Sequence, residues 1–140
     1  MSELLKLRYD VDGDDFVSCG RASEEVKRTL KNIGIDPAVI RKVAIAMYEG
    51  EINMVIHANG GVAEVVIDAE YITITLADTG NGIADIDQAM QEGFSTATDD
   101  IRELGFGAGM GLPNMKKYSD EMSIDSVVGK GTTVTLKFKL

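Results

Sequence analysis

Apolar and polar positions alternate with one period, then another, along most of the chain. Between Leu4 and Tyr9, apolar Leu5, Leu7 and Tyr9 alternate with Lys6 and Arg8, the two-residue period of a half-buried strand. The acidic stretch Asp10 to Asp15 reads as a turn. Phe16 to Ile33 changes to a helical period, with a stripe through Val26, Leu30 and Ile33 and a stop at Gly34. Asp36-Pro37 predicts the start of a second helix. The aspartate can cap it, and proline in a first turn lacks only an N–H that has no helical partner there. This helix is expected to run to Ala58 and to end at Asn59-Gly60-Gly61. Two β-rich runs follow, Val62 to Asp68 and Tyr71 to Ala77, joined at Ala69-Glu70 by a connector short enough for a hairpin. A short helix is expected over Ile86 to Gln91. Gly93 to Gly109 shows little periodicity, which in a compact domain reads as a lid or binding loop. A helix from Gly111 to Tyr118 and strands near Met122 to Val127 and Thr132 to Leu140 complete the pattern.

This order, β-α-α-β-β-α-lid-α-β-β, predicts an α+β fold: a two-layer α/β sandwich with a largely antiparallel sheet and helices on one face. A doubly wound sheet would need strict strand-helix alternation, which is missing. No internal repeat or boundary interrupts residues 1–140, so a single domain with one core is expected.

Composition narrows the possibilities. The chain has no Trp, so Val, Ile, Leu, Met and Ala must build the core. Its 14 basic residues are dispersed and outnumbered by 23 acidic ones, a net charge of −9. Nucleic acid is an unsuitable partner for such a surface, because affinity there comes from clustered Lys and Arg. No apolar run approaches the ~18 residues of a membrane span, and Met1 to Asp10 carries no signal pattern. Cys19 is the single cysteine, which excludes an internal disulfide and a cysteine metal cage. A cytoplasmic protein without membrane contact is expected.

Four short stretches then carry candidate chemistry. On the second helix Glu49, Asn53 and His57 are each four residues apart and stack along one stripe spanning about 80°. Ile45, Ile52 and Ile56 flank the stripe on one side, Val43, Met47 and Met54 on the other. That pattern suits a buried helix with one seam turned to a pocket. Glu51 lies roughly 160° from the seam and reads as a solvated carboxylate. Gly50, costly in mid-helix by about 1 kcal/mol, suggests close packing or a close approach. Asp78-Thr79-Gly80-Asn81-Gly82-Ile83 ends an apolar strand. Its glycines permit close approach to a flat ligand, and its aspartate can accept from an exocyclic amine such as adenine's. Gly107-Ala108-Gly109-Met110-Gly111-Leu112 opens a helix, where bare backbone N–H groups and the helix dipole suit phosphates. It is neither a dinucleotide fingerprint nor a P-loop, since the flanking strand and glycine spacing those need are absent. Gly129-Lys130-Gly131-Thr132 also suits a plain hairpin turn.

In this order the four stretches resemble the Bergerat-fold (GHKL) ATPases and kinases, a superfamily that includes gyrase B, histidine kinases and MutL. The resemblance spans roughly Leu4 to Leu140. The His57-Ala58-Asn59 ending and the chain's size are most similar to the bacterial anti-sigma factor serine/threonine kinases. The resemblance implies ATP and Mg2+ as cofactors, Glu49 as general base and Asn53 as magnesium ligand, with His57 beside them. It implies that Asp78 contacts the adenine amine, with Gly80, Gly82 and Ile83 shaping its pocket. Gly107, Ala108, Gly109, Met110, Gly111 and Leu112 would cradle the phosphates, Thr132 would support the Asp78 region, and the lid would lie between Phe94 and Phe106. The implied substrate is a small anti-anti-sigma-like protein, with a sigma factor as a further partner. Related proteins pair through their first strand and helix, so a homodimer is compatible. Two other readings keep the same nucleotide ligands: a non-catalytic ATP-binding partner-switching module, and a stand-alone histidine-kinase-like ATPase domain. Glu49 separates the kinase from the first of these.

Overall fold

The computed structural model describes residues 5–12, 20–58, 60–78 and 111–140, and for residues 12, 56–58 and 111 the backbone alone. The expected helix over Ile86 to Gln91 and the lid lie outside the described residues. The elements are β1 (Leu5–Asp12), α1 (Arg21–Asn32), α2 (Pro37–Ala58), β2 (Gly60–Ile67), β3 (Tyr71–Asp78), α3 (Gly111–Tyr118), β4 (Glu121–Val127) and β5 (Gly131–Lys139). The strands form one sheet in the order β1-β2-β3-β5-β4, and every pairing is antiparallel.

Strict alternation along the strands sends one set of side chains to the helices. Ala63, Val65 and Ile67 of β2, Ile72, Ile74 and Leu76 of β3, and Val134, Leu136 and Phe138 of β5 are buried. They share one cluster with Val26 and Leu30 of α1, Val43, Ala46, Met47 and Met54 of α2, and Leu112 and Met115 of α3. The opposite sheet face carries Glu64, Thr73, Thr75, Thr133 and Thr135, none of them fully buried. This is the expected α+β sandwich, with helices on one face of an antiparallel sheet.

Several boundaries depart from expectation; Gly60 and Gly61, for one, open β2 instead of closing α2. Where a turn was expected to begin, β1 continues through Asp10 to Asp12, pairing with Val62 and Gly60. At a sheet edge Asp10 keeps its carboxylate in solvent while its backbone stays in the ladder. The first helix starts at Arg21 rather than Phe16: Gly20 is its N-cap, in the left-handed region at φ 98°, a conformation that favours glycine. Residues 16–19 lie outside the described residues. Ile33, expected on the buried stripe, is 49% exposed. It follows the last helical residue, and the chain then turns so that Ile35 packs against the core instead.

Other boundaries follow the local chemistry that predicted them. Asp36 Oδ1 accepts the Ala38 N–H at 2.8 Å, capping α2. Asp68 Oδ1 accepts the N–H groups of Glu70 and Tyr71 at 2.7 and 2.8 Å, closing the β2–β3 hairpin. Gly129-Lys130 forms the turn of the β4–β5 hairpin, where the Lys130 N–H donates to Val127 C=O at 2.9 Å.

Candidate functional site

α2 is packed on two sides, against the sheet and against α1 and α3. Gly50 is buried on it, and a Cβ there would fall on Leu76 Cδ1. Close packing of helix on strand therefore accounts for the glycine, whose substitution by any larger residue would push α2 away from β3. One turn on, Met54 Sδ approaches Gly61, where a Cβ would come within 2.9 Å of it and would strike the Ala77 carbonyl. Gly61 pairs with Asp78. The turn of α2 that bears Glu49 and Asn53 thus packs at the end of β3 that bears Asp78.

Glu49 and Asn53 are both half-buried. Asn114, in α3, donates from Nδ2 to Glu49 Oε1 at 3.4 Å, so the helix that opens at Gly111 touches the Glu49 carboxylate. Asp78 Oδ1 accepts the Thr132 N–H at 3.1 Å, and Thr132 is 8% exposed. The Ser126 hydroxyl lies 2.9 Å from the Thr132 hydroxyl and 3.3 Å from the Gly131 carbonyl oxygen to which it donates. A hydroxyl pair on the β4–β5 hairpin therefore backs the Asp78 carboxylate across the sheet.

Among the other anticipated residues, Leu112 turns its side chain into the core, and Gly111 is the first residue of α3. His57 lies on α2, its side chain outside the described set. Gly80, Gly82, Ile83, Gly107, Ala108, Gly109 and Met110 lie outside the described residues altogether. Among the described residues no three His, Cys, Asp or Glu side chains gather as a metal cage.

Glu51 is a correction. Instead of a solvated carboxylate it is a buried one, 2% exposed. Its Oε2 accepts the Gly20 N–H at 3.0 Å, and its Oε1 accepts the Ser23 N–H at 2.6 Å and the Ser23 hydroxyl. The side of α2 opposite the seam meets α1 rather than water, and Glu51 caps that helix from 31 residues away. Free N–H groups and the positive end of the helix dipole suit a carboxylate there. The signal was present: Met47, Met54 and Val55, at four before and three and four after, are all buried. Asn114 was also missed; only its place in the first turn after the glycine run hinted at it.

Known proteins resemble this chain in sequence and in fold. The family described as "Histidine kinase-like ATPase domain" matches residues 16–138. The chain is 34% identical over 109 residues to an anti-sigma F factor of Thermoanaerobacter sp. (strain X514), covering 73% of each chain. It is 36% identical over 111 residues to an anti-sigma F factor of Geobacillus thermodenitrificans (strain NG80-2), covering 74% of this chain and 73% of that one. The crystal structure of the RsbU and RsbW domains of Rv1364c from Mycobacterium tuberculosis superposes with a TM-score of 0.65 at 19% identity. That match covers 97% of this chain and 32% of the solved one, and bears on the fold alone. The match over residues 16–138 and these relatives place the chain in the histidine kinase-like (GHKL) ATPase domain family, with anti-sigma F factors among its relatives.

Proposed function

We propose that this chain is an ATP- and Mg2+-dependent serine/threonine protein kinase that phosphorylates a small anti-anti-sigma-like protein and sequesters a sigma factor. The observation that carries the reading is the packing of the Glu49–Asn53 turn, through Gly50 and Met54, at the Asp78 end of β3. The family supplies ATP as the nucleotide, and the anti-sigma F factor relatives supply the partner class. Sigma factors and ATP are intracellular, so the proposed site of action is the cytoplasm.

The roles follow from the donor set. Asp78, its Oδ1 held by the Thr132 N–H, would accept from the adenine amine, and Gly80, Gly82 and Ile83 are the residues proposed to shape the adenine pocket. The glycine run from Gly107 to Gly111, leading into α3, is the proposed phosphate-binding segment, since backbone N–H groups at a helix start suit an anion. The Asn53 amide oxygen, four residues from the Glu49 carboxylate, is a hard oxygen donor of the kind magnesium takes in ones and twos beside phosphate and water. Those residues fit the ion, which when bound draws charge from the phosphate oxygens. Glu49 orients the attacking hydroxyl and takes its proton as the oxygen bonds to the γ-phosphorus. The bond from that phosphorus to the bridging oxygen breaks, and its electron pair leaves on ADP. A positioned general base contributes ~10²–10⁴-fold.

The test is transfer from γ-labelled ATP, with Mg2+, to candidate small regulatory proteins, followed by acid treatment of the product. Acid-stable phosphoserine or phosphothreonine is expected, lost in Glu49→Gln while nucleotide affinity by calorimetry stays within about twofold. Nucleotide binding with no labelled acceptor would leave a non-catalytic module. An acid-labile product would point to histidine chemistry instead.

A further inference from the structure

Asn114 is a residue to which the proposed chemistry gives no part, yet among the described residues it is the one whose side chain joins α3 to the Glu49 carboxylate. We infer that Asn114 is a positioning residue for Glu49, coupling the orientation of the base to the helix that follows the phosphate-binding glycines. The inference rests on the kinase reading above.

Three observations converge. The contact is long-range, 65 residues apart in sequence, and half-buried, so it is a tertiary feature rather than a neighbour effect. Asn114 is presented by an anchored turn: Leu112 and Met115 on either side are in the core, Pro113 constrains the backbone before it, and the Ser119 hydroxyl closes the far end on the Met115 carbonyl at 2.8 Å. Glu49 is equally anchored, between buried Met47 and buried Gly50. Only rotation about the Glu49 side chain remains, and the Asn114 amide acts on that.

The residue type matters. An amide donates to Oε1 without bringing a positive charge. A lysine or arginine there would hold the carboxylate too, but would lower its affinity for a proton. The neutral donor fixes one oxygen and leaves Oε2 to take the hydroxyl proton as the new O–P bond forms and the bridging bond to ADP breaks. At 3.4 Å the contact is long, as hydrogen bonds to a base commonly are before substrate tightens them. Because Asn114 lies in the first turn of α3, phosphates held at that helix start and the carboxylate that receives the proton share one rigid strut.

The experiment uses the full chain with Mg-ATP, following labelled transfer to whichever candidate regulatory protein the transfer test labels, and hydrolysis with water as acceptor. Asn114→Ala, and Asn114→Leu should the smaller residue unfold α3, is expected to lower kcat about tenfold and leave the KM for ATP within about twofold. In a Glu49→Gln background the same substitution should change nothing further, since Asn114 acts through that carboxylate. Effects that multiply in the double variant, or a loss carried by KM, would overturn the role. Independently of turnover, the Asn114 side-chain amide resonance should move on Glu49→Ala while the backbone amides of α3 stay in place. An unmoved resonance would also overturn it. A wild-type chain inert toward Mg-ATP would sink the kinase reading instead, and the resonance alone would then decide whether Asn114 holds Glu49.

Discussion

Glu51 takes a carboxylate into the contact between α1 and α2 and keeps it there by giving it three donors. Removing the carboxylate leaves the Gly20 and Ser23 N–H groups buried without a partner, at about 1–3 kcal/mol each. Glu51→Ala is therefore expected to cost about 3 kcal/mol in urea unfolding, and Glu51→Gln, which keeps an accepting oxygen, distinctly less. A loss below about 0.5 kcal/mol for the alanine variant, the scale of an ordinary surface change, would mean the donors find other partners. Asp78 makes a different use of a carboxylate. Its Oδ1 holds the Thr132 N–H, and an asparagine oxygen can do the same, so Asp78→Asn should hardly change stability. The amide is a poorer acceptor for adenine's amine, so ATP affinity should fall about tenfold or more, on the scale of a hydrogen bond to a charged group. Inosine triphosphate, which lacks that amine, should lose much less; equal losses by calorimetry would remove Asp78 from the adenine.

At the scale of elements, two close approaches set where α2 lies. A Cβ at Gly50 meets the end of a side chain, Leu76, whereas one at Gly61 meets the Ala77 carbonyl as well as Met54. Backbone cannot yield as a leucine can. Gly50→Ala gains about 1 kcal/mol of helix propensity and loses about 1–3 kcal/mol to overpacking, so a net loss near 1 kcal/mol is expected. Leu76→Val should recover part of it, a coupling that a double-mutant cycle on urea midpoints would detect. Gly61→Ala should cost more than Gly50→Ala; the reverse order would contradict the packing. The β2–β3 hairpin has a pH dependence of its own. The Glu70 N–H, and after it the Tyr71 N–H, hold the Asp68 carboxyl below its ordinary value. A lowered folded pKa means that the carboxylate stabilises the hairpin above the unfolded value of about 3.9, and that this contribution is lost as pH falls through the lower folded value. Asp68→Ala should therefore lose stability at neutral pH and unfold with a weaker acid dependence below about pH 4. Unfolding curves at several pH values that stay parallel to wild type would refute the assignment.

Taken whole, the molecule hangs its candidate site on three separated pieces of chain, α2, the end of β3 and the start of α3, and α2 is the one that touches the other helices and the sheet. The fold was legible because each central strand has one buried face: the alternation of Ile72, Ile74 and Leu76 with Thr73 and Thr75 is the burial pattern itself. The start of α2 was legible in Asp36-Pro37 for equally local reasons. What escaped notice was set by tertiary partners. Asp10 disfavours a strand locally but follows the β2 ladder, Glu51 reads as surface until α1 is packed against it, and Asn114 has no meaning until α3 meets α2. The Glu49–Asn53 spacing was legible as a seam, while the tie between that seam and Asp78 runs through Gly50 and Gly61, whose roles appear only when helix and strand are in contact. A nucleotide bound by the folded chain and not by the unfolded one links binding to global stability. Mg-ATP at a hundredfold excess over its Kd should raise the unfolding free energy by about 2.7 kcal/mol, seen as an upward shift in Tm. Asn53 is half-buried and in no cluster of core side chains, so Asn53→Ala should leave the unliganded Tm close to wild type and abolish the shift. A variant whose Tm still climbs with Mg-ATP as the wild type's does would take Asn53 out of the site, and with it the reason for placing the metal beside Glu49.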